Sequence, residues 1–314
     1  MANNIIPKFM RRAPELTPFP RFDAVDRTGD VDGVHYYETG PIDAPVTVVF
    51  VHGFTLAASA FYLQVEHLAG RDDVRCLLMD LRGHGATGEV PFEKCSVGGA
   101  ADDVARVVEK RCPEGEMIIV GHSLGGLIAL NLARRYGPRR VRGLLLISSA
   151  IESLGSKGLP KIITHPIMDK VRQAVEAAPE ATERLTRDAK DFIASTMGPL
   201  FFNTNTTSYD IVQFHAELVR QTPMSTFIGY FDDLQQHDEL AAAEVLKEID
   251  GIVLVGERDK VTPVSQSERI CELWPRGELR TVKDAGHMLL MEIPEAANNA
   301  IDSLVADLHR QRSR

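Results

Sequence analysis

The chain has 314 residues, of which 44% are hydrophobic and 25% charged, an ordinary globular composition that supports a large buried core. Its net charge of −9 disfavours a nucleic-acid backbone as partner. No uninterrupted apolar run reaches the ~20 residues needed to span a bilayer, so no integral membrane association is expected.

The first element is a proline-rich arm, residues 1–20, interrupted by Pro7, Pro14, Pro18 and Pro20. Arg11-Arg12 is followed by no apolar stretch, so no secretory signal is expected. The basic residues at the two ends (Lys8, Arg11 and Arg12; Arg310, Arg312 and Arg314) read as solvated tails. Segments 22–27 and 34–38, separated by Gly29 and Gly33, predict a hairpin. Residues 46–51 form a continuous apolar run, the pattern of a strand buried on both faces. Runs at 74–79, 117–120, 143–147, 252–255 and 279–282 complete a set of eight strands.

Helical patterns at 98–112, 124–136, 263–274 and 294–309 alternate with those runs, and Pro263 and Pro294 stand where a first helical turn tolerates proline. Strands alternating with helices predict an α/β fold: a mostly parallel, eight-stranded sheet with helices on both faces. Residues 151–249 break the rhythm, with helical stretches at 167–178, 181–195, 208–221, 223–234 and 239–248 and no strong strand run. They are expected to form a helical cap inserted into a core made of 21–150 and 250–314.

The chemistry concentrates in loops that follow strands. Gly121-His122-Ser123-Leu124-Gly125 fits the G-x-S-x-G nucleophile elbow, with the strand 117–120 before it and the helix 124–136 after it. The serine must sit on a sharp turn, so its neighbours must be small. The helix start then aims its amides and positive dipole end at the reacting centre. A serine hydroxyl needs a base, and histidine suits that task near neutral pH. Of ten histidines, His287 stands out because Asp284-Ala285-Gly286-His287 directly follows the last strand.

The base needs a carboxylate to set its tautomer. Asp259, after the strand 252–255, is the first choice, with Glu152 and Glu257 as alternatives. Ser, Asp, His is one of the chain orders in which such triads occur. His52-Gly53-Phe54, after the strand 46–51, allows the Phe54 N–H to serve as one oxyanion donor, with the Leu124 N–H as the second. His52 is expected to brace that turn. The loop Asp80-Leu81-Arg82-Gly83-His84-Gly85 reads as structural, ahead of a substrate role for Arg82 or His84. His237-Asp238 reads as a solvated helix end. Phe201, Phe202, Phe227, Tyr230 and Phe231 read as cap core first and pocket wall second.

Cys76, Cys95, Cys112 and Cys271 show no CxxC or Cys/His metal spacing, and no phosphate-binding loop is present. No metal or cofactor is therefore expected, and the cysteine usage suits a reduced, cytoplasmic setting.

Taken together, His52 to Phe54, Asp80 to Gly85, Gly121 to Gly126, Gly256 to Asp259 and Gly286-His287 resemble the α/β-hydrolase superfamily, over roughly residues 30–150 and 250–308. Their spacing is similar to the capped serine hydrolases, and His122 before the nucleophile is similar to carboxylesterases and monoacylglycerol-lipase-like enzymes. The resemblance implies hydrolysis of a small-molecule carboxylic ester through an acyl-enzyme on Ser123, with a hydrophobic or medium-chain acyl group. Thioester, amide or carbon–carbon bond hydrolysis, acyl transfer, and a slow-turnover small-molecule receptor or regulator stay open, as does the oligomeric state.

Overall fold

A computed structural model of the chain describes residues 25–153, 194 and 198–313. The N-terminal arm, the expected helix at 167–178, and all but Ala194 of that at 181–195 lie outside the described residues. The strands are β1 (Arg27–Val31), β2 (Val34–Thr39), β3 (Val46–Val51), β4 (Val74–Met79), β5 (Glu116–His122), β6 (Val141–Ile147), β7 (Asp250–Gly256) and β8 (Gly277–Val282). They form one sheet in the order β1-β2-β4-β3-β5-β6-β7-β8. β1 pairs with β2, and β2 with β4, antiparallel; every other pairing is parallel.

Side-chain alternation explains why the central strands are apolar at most positions. Val46, Val48 and Phe50 of β3 point into one core layer, while Val49 and Val51 point into the other. Ile118 and Val120 of β5 join the first layer, and Met117 and Ile119 join the second. The first layer is closed by α1 (Tyr62–Leu68), which the hydrophobic pattern does not announce, and by the C-terminal helix Pro294–Arg312. The second is closed by α2 (Val97–Arg111), α3 (Leu124–Arg140) and a later helix, Val264–Leu273. At Gly137 φ is 67°, so the regular part of α3 stops near Tyr136, where the sequence places its end.

The edges depart from the apolar pattern, and there the sequence reading needs correction. Of the expected strand 22–27, residues 22–24 lie outside the described residues, 25 and 26 are not strand, and the first described strand is Arg27–Val31. Its polar composition reflects an outer strand with alternate residues exposed. The turn is Asp32-Gly33, with φ of 50° and 82°, as the two central residues of a two-residue type I′ hairpin require. Gly29 lies inside the strand, against the Tyr36 ring. On the next strand Glu38 is fully buried and accepts hydrogen bonds from Arg75 (2.5 Å), Arg111 (2.8 Å) and Arg27 (3.0 Å), tying β2 to α2.

Within 151–249 the described residues hold α4 (Tyr209–Gln221), α5 (Met224–Leu234) and the short α6 (Ala243–Leu246), and no strand. The remaining helices are α7 (Val264–Leu273), α8 (Leu289–Glu292) and α9 (Pro294–Arg312). The carboxyl ends of the parallel strands open on one edge of the sheet, the place where open α/β sheets carry their ligands.

Candidate active site

Ser123 occupies the turn between β5 and α3 with φ 54° and ψ −117°, a conformation that non-glycine residues adopt only at a cost. Close packing holds it there. A Cβ on Gly125 would overlap the Val51 carbonyl oxygen, and one on Gly126 would overlap the Ser149 hydroxyl. The Ser123 N–H donates to the Ile147 carbonyl at 3.0 Å, and the Ser149 hydroxyl donates to the Ser123 carbonyl at 2.8 Å. The motif's small residues are therefore a steric requirement of the strand–turn–helix crossing.

The structure brings the three predicted side chains together. His287 Nε2 lies 3.1 Å from Ser123 Oγ. His287 Nδ1 lies 2.9 Å from Asp259 Oδ2 and 3.1 Å from Oδ1. An ionised carboxylate only accepts, so Nδ1 carries the proton and Nε2 presents its lone pair to the serine hydroxyl. Burial pushes the Asp259 carboxyl up, but the neighbouring His287 and the hydrogen bonds from His287 and Thr262 outweigh it and hold Asp259 below its ordinary value. The alternatives stand elsewhere: Glu152 pairs with Arg269 at 2.6 Å, and exposed Glu257 accepts from the Asp284 N–H at 3.3 Å.

Several residues to which the sequence reading assigned no bracing role complete this arrangement. The N–H groups of Val261 and Thr262 each donate to Asp259 Oδ1 at 2.9 Å, and the Thr262 hydroxyl donates to Oδ2 at 2.9 Å. Aspartate favours such Asx-type turns, in which its carboxylate accepts N–H groups of the residues that follow. His122 Nε2–H donates to the His287 carbonyl at 3.1 Å, and burial pushes the His122 ring down to about 3. Glu292 stitches the His287 loop to residues 201–207. Its Oε1 accepts the Gly286 N–H at 2.8 Å, and its Oε2 accepts the Asn203 N–H at 2.8 Å and the Thr207 hydroxyl at 3.1 Å. The Phe201 carbonyl also accepts the His287 and Met288 N–H groups, at 2.8 and 3.1 Å.

On the other side of Ser123, Gly53 leaves room where a Cβ would stand 2.7 Å from His122 Nδ1 and 3.2 Å from Ser123 Cβ. The N–H groups of Phe54 and Leu124 donate no hydrogen bond among the described residues. His52 braces this turn as expected: Nδ1–H donates to the Gly53 carbonyl (2.8 Å) and Nε2 accepts the Leu81 N–H (2.9 Å). Burial lowers His52 to about 4, so the bracing ring is neutral.

The 80–85 loop is likewise a fastening. The Asp80 carboxylate accepts from the Ala58 and Ala86 N–H groups and the Tyr37 hydroxyl, at 2.7, 2.8 and 2.9 Å. Arg82 forks onto Asp103 at 2.7 and 2.8 Å, and His84 Nε2 accepts the Thr55 N–H at 3.1 Å. His237 pairs with Glu239 at 3.0 Å.

Aromatic rings pack on Phe54 and on His287. Phe54 packs on Phe227 (5.3 Å between centroids) and Tyr230 (6.1 Å), while Phe201 packs on His287 (5.3 Å). Phe202 packs on His215 instead, and Phe231 is buried in the core. Among the described residues no group of three or more His, Cys, Asp or Glu side chains could hold a metal ion. No helix among them is long and apolar enough to cross a membrane.

Comparison with known proteins agrees with this geometry. The family model described as the alpha/beta hydrolase family matches residues 48–300, which bears out the resemblance carried by the motifs. The bifunctional esterase/perhydrolase of Acinetobacter calcoaceticus is 28% identical over 261 residues, covering 80% of this chain and 88% of that protein. A pimeloyl-[acyl-carrier protein] methyl ester esterase of Chromobacterium violaceum is 28% identical over 249 residues, covering 76% and 86%. Among solved structures, a thermophilic esterase from Thermogutta terrifontis has the same fold, with a TM-score of 0.71 at 23% identity, covering 90% of this chain and 97% of that one.

Proposed function

We propose that this chain, which belongs to the alpha/beta hydrolase family, is a serine hydrolase that cleaves small-molecule carboxylic esters through an acyl-enzyme on Ser123. The observation that carries the reading is the continuous contact from Asp259 through His287 to Ser123 Oγ at 2.9 and 3.1 Å. His287 takes the Ser123 proton as Oγ attacks the ester carbonyl, and then protonates the leaving alcohol. Asp259 stays ionised and stabilises the imidazolium. The N–H groups of Phe54 and Leu124 receive the oxyanion. Water, activated by the same histidine, releases the acid.

The helices α4 and α5, described within 198–249, are read as part of a cap over this edge of the sheet. The rings of Phe54, Phe201 and Phe227 beside the site residues suit a hydrophobic or medium-chain acyl group. All four cysteines are free, as suits a reducing cytoplasm. The Acinetobacter relative is an esterase/perhydrolase by name, which favours testing peroxide beside water as the group that opens the acyl-enzyme.

The test is Ser123→Ala with p-nitrophenyl butyrate. Turnover should fall by at least about 10⁴-fold with the thermal melt unchanged. A fluorophosphonate should phosphonylate Ser123, with loss of fluoride, and leave the Ser123→Ala variant unlabelled. Full activity in the variant overturns the proposal.

A further inference from the structure

One histidine near this site belongs neither to the triad nor to the hydrogen bonds that brace it. His215, on α4, is 1% exposed, and its Nε2 has no hydrogen-bond partner among the described residues. The rings of Phe201 and Phe202 flank it, each 5.2 Å away between centroids. Phe201 is also the residue whose ring lies 5.3 Å from that of His287 and whose carbonyl holds the His287 N–H. His215 therefore stands one aromatic ring away from the candidate base, on an element that adjoins the site.

A buried ring nitrogen without a partner is costly, and such atoms in a native fold call for an explanation. Packing alone does not supply one, since phenylalanine or leucine fills an aromatic cage without stranding a polar atom. Burial, with a smaller contribution from the neighbouring His287, pushes the His215 ring down to about 3, so it is neutral at working pH. A neutral ring offers a hydrogen bond and no counter-charge. A carboxylate brought to it would lose its hydration without gaining an ion pair. A carbonyl or hydroxyl oxygen pays far less to be desolvated and satisfies the nitrogen.

We propose that His215 is a specificity-determining residue of the substrate pocket, its Nε2 hydrogen-bonding a neutral carbonyl or hydroxyl oxygen that the ester carries in addition to the scissile group. The substrates selected are thus oxo- or hydroxy-substituted esters rather than plain hydrocarbon ones. This inference rests on the ester-hydrolase reading and narrows it.

The experiment compares kcat/KM for ethyl hexanoate with that for ethyl 3-oxohexanoate, ethyl 5-oxohexanoate and 2-hydroxyethyl hexanoate. Acid release is followed by pH-stat, and each value is divided by the hydroxide-catalysed rate of the same ester. The wild type should prefer at least one oxygenated ester by about tenfold or more, as a hydrogen bond to a buried neutral group allows. His215→Leu should bring that ratio to near one, and His215→Asn should restore part of it. If the leucine variant fails to fold, His215→Phe keeps a ring in the cage and serves in its place. A wild type with no preference, or a ratio that survives removal of the imidazole, overturns the inference. If no ester is turned over, or if Ser123→Ala retains turnover, the ester-hydrolase reading itself falls, and this inference falls with it.

Discussion

The sharpest test of the acid assignment is Asp259→Asn, because the geometry dictates how the amide must sit. Oδ1 receives two backbone N–H groups, from Val261 and Thr262, both at 2.9 Å. The amide oxygen must keep that position, since an NH2 group there would face two donors. The NH2 then occupies the Oδ2 position, 2.9 Å from His287 Nδ1, and the Thr262 hydroxyl turns to accept from it. Nδ1 is now forced to be an acceptor, so the imidazole proton moves to Nε2 and points at Ser123 Oγ. The base is present but in the wrong tautomer, and the charge that stabilises the imidazolium is gone. The expected loss is about 10⁴-fold in kcat, or about 5.5 kcal/mol of transition-state stabilisation. The assay is steady-state hydrolysis of p-nitrophenyl butyrate from pH 6 to 10, with the rate of fluorophosphonate labelling as an independent measure of serine nucleophilicity. Retention of more than about a tenth of wild-type kcat, with an unchanged melt, would refute the tautomer argument. The same loss in Glu152→Gln or Glu257→Gln instead would show that the acid is misassigned.

Two further predictions concern residues outside the triad. Glu292→Gln leaves one acceptor oxygen for donors that now bond to both, so the His287 loop should detach from residues 201–207 and kcat/KM should fall by about tenfold. An unchanged kcat/KM would show that the stitch has no bearing on catalysis. At Glu38, burial raises the carboxyl, but Arg111, Arg27 and Arg75 outweigh it and lower it from the ordinary 4.5 to about 2. A depressed carboxylate contributes stability that is fully present above the unfolded value and is lost as pH falls through the folded one. The loss should therefore lie between about pH 4.5 and 2. Glu38→Gln should cost about 3 kcal/mol at pH 7 and lack this dependence, as urea melts from pH 2 to 7 would reveal. An equal difference between variant and wild type at both ends of that range would count against the pairing.

How legible the molecule is in its sequence depends on the range over which each feature is decided. The runs at 46–51 and 74–79 are strands with those same bounds, because a strand covered on both faces is apolar at nearly every position. The outermost strand is misplaced because an exposed edge has no such pattern, and its register follows from the left-handed turn at Asp32-Gly33. The short α1 escapes because one amphipathic turn or two gives little periodicity.

By itself the sequence determines the alternation of strands and helices, and the elbow at Ser123, where steric crowding admits only glycine at positions 125 and 126. It also places three chemically apt residues in loops that follow strands. These are local matters of side-chain size and backbone freedom. Only the tertiary structure decides that His287 reaches across 164 positions to Ser123, that Asp259 and not Glu152 stands behind it, and that Thr262 and Glu292 hold the acid and the loop. Those are questions of which polar atoms meet once the sheet has closed. Burial then makes every unpaired donor or acceptor costly, so the packed fold, and not the local pattern, selects the partners.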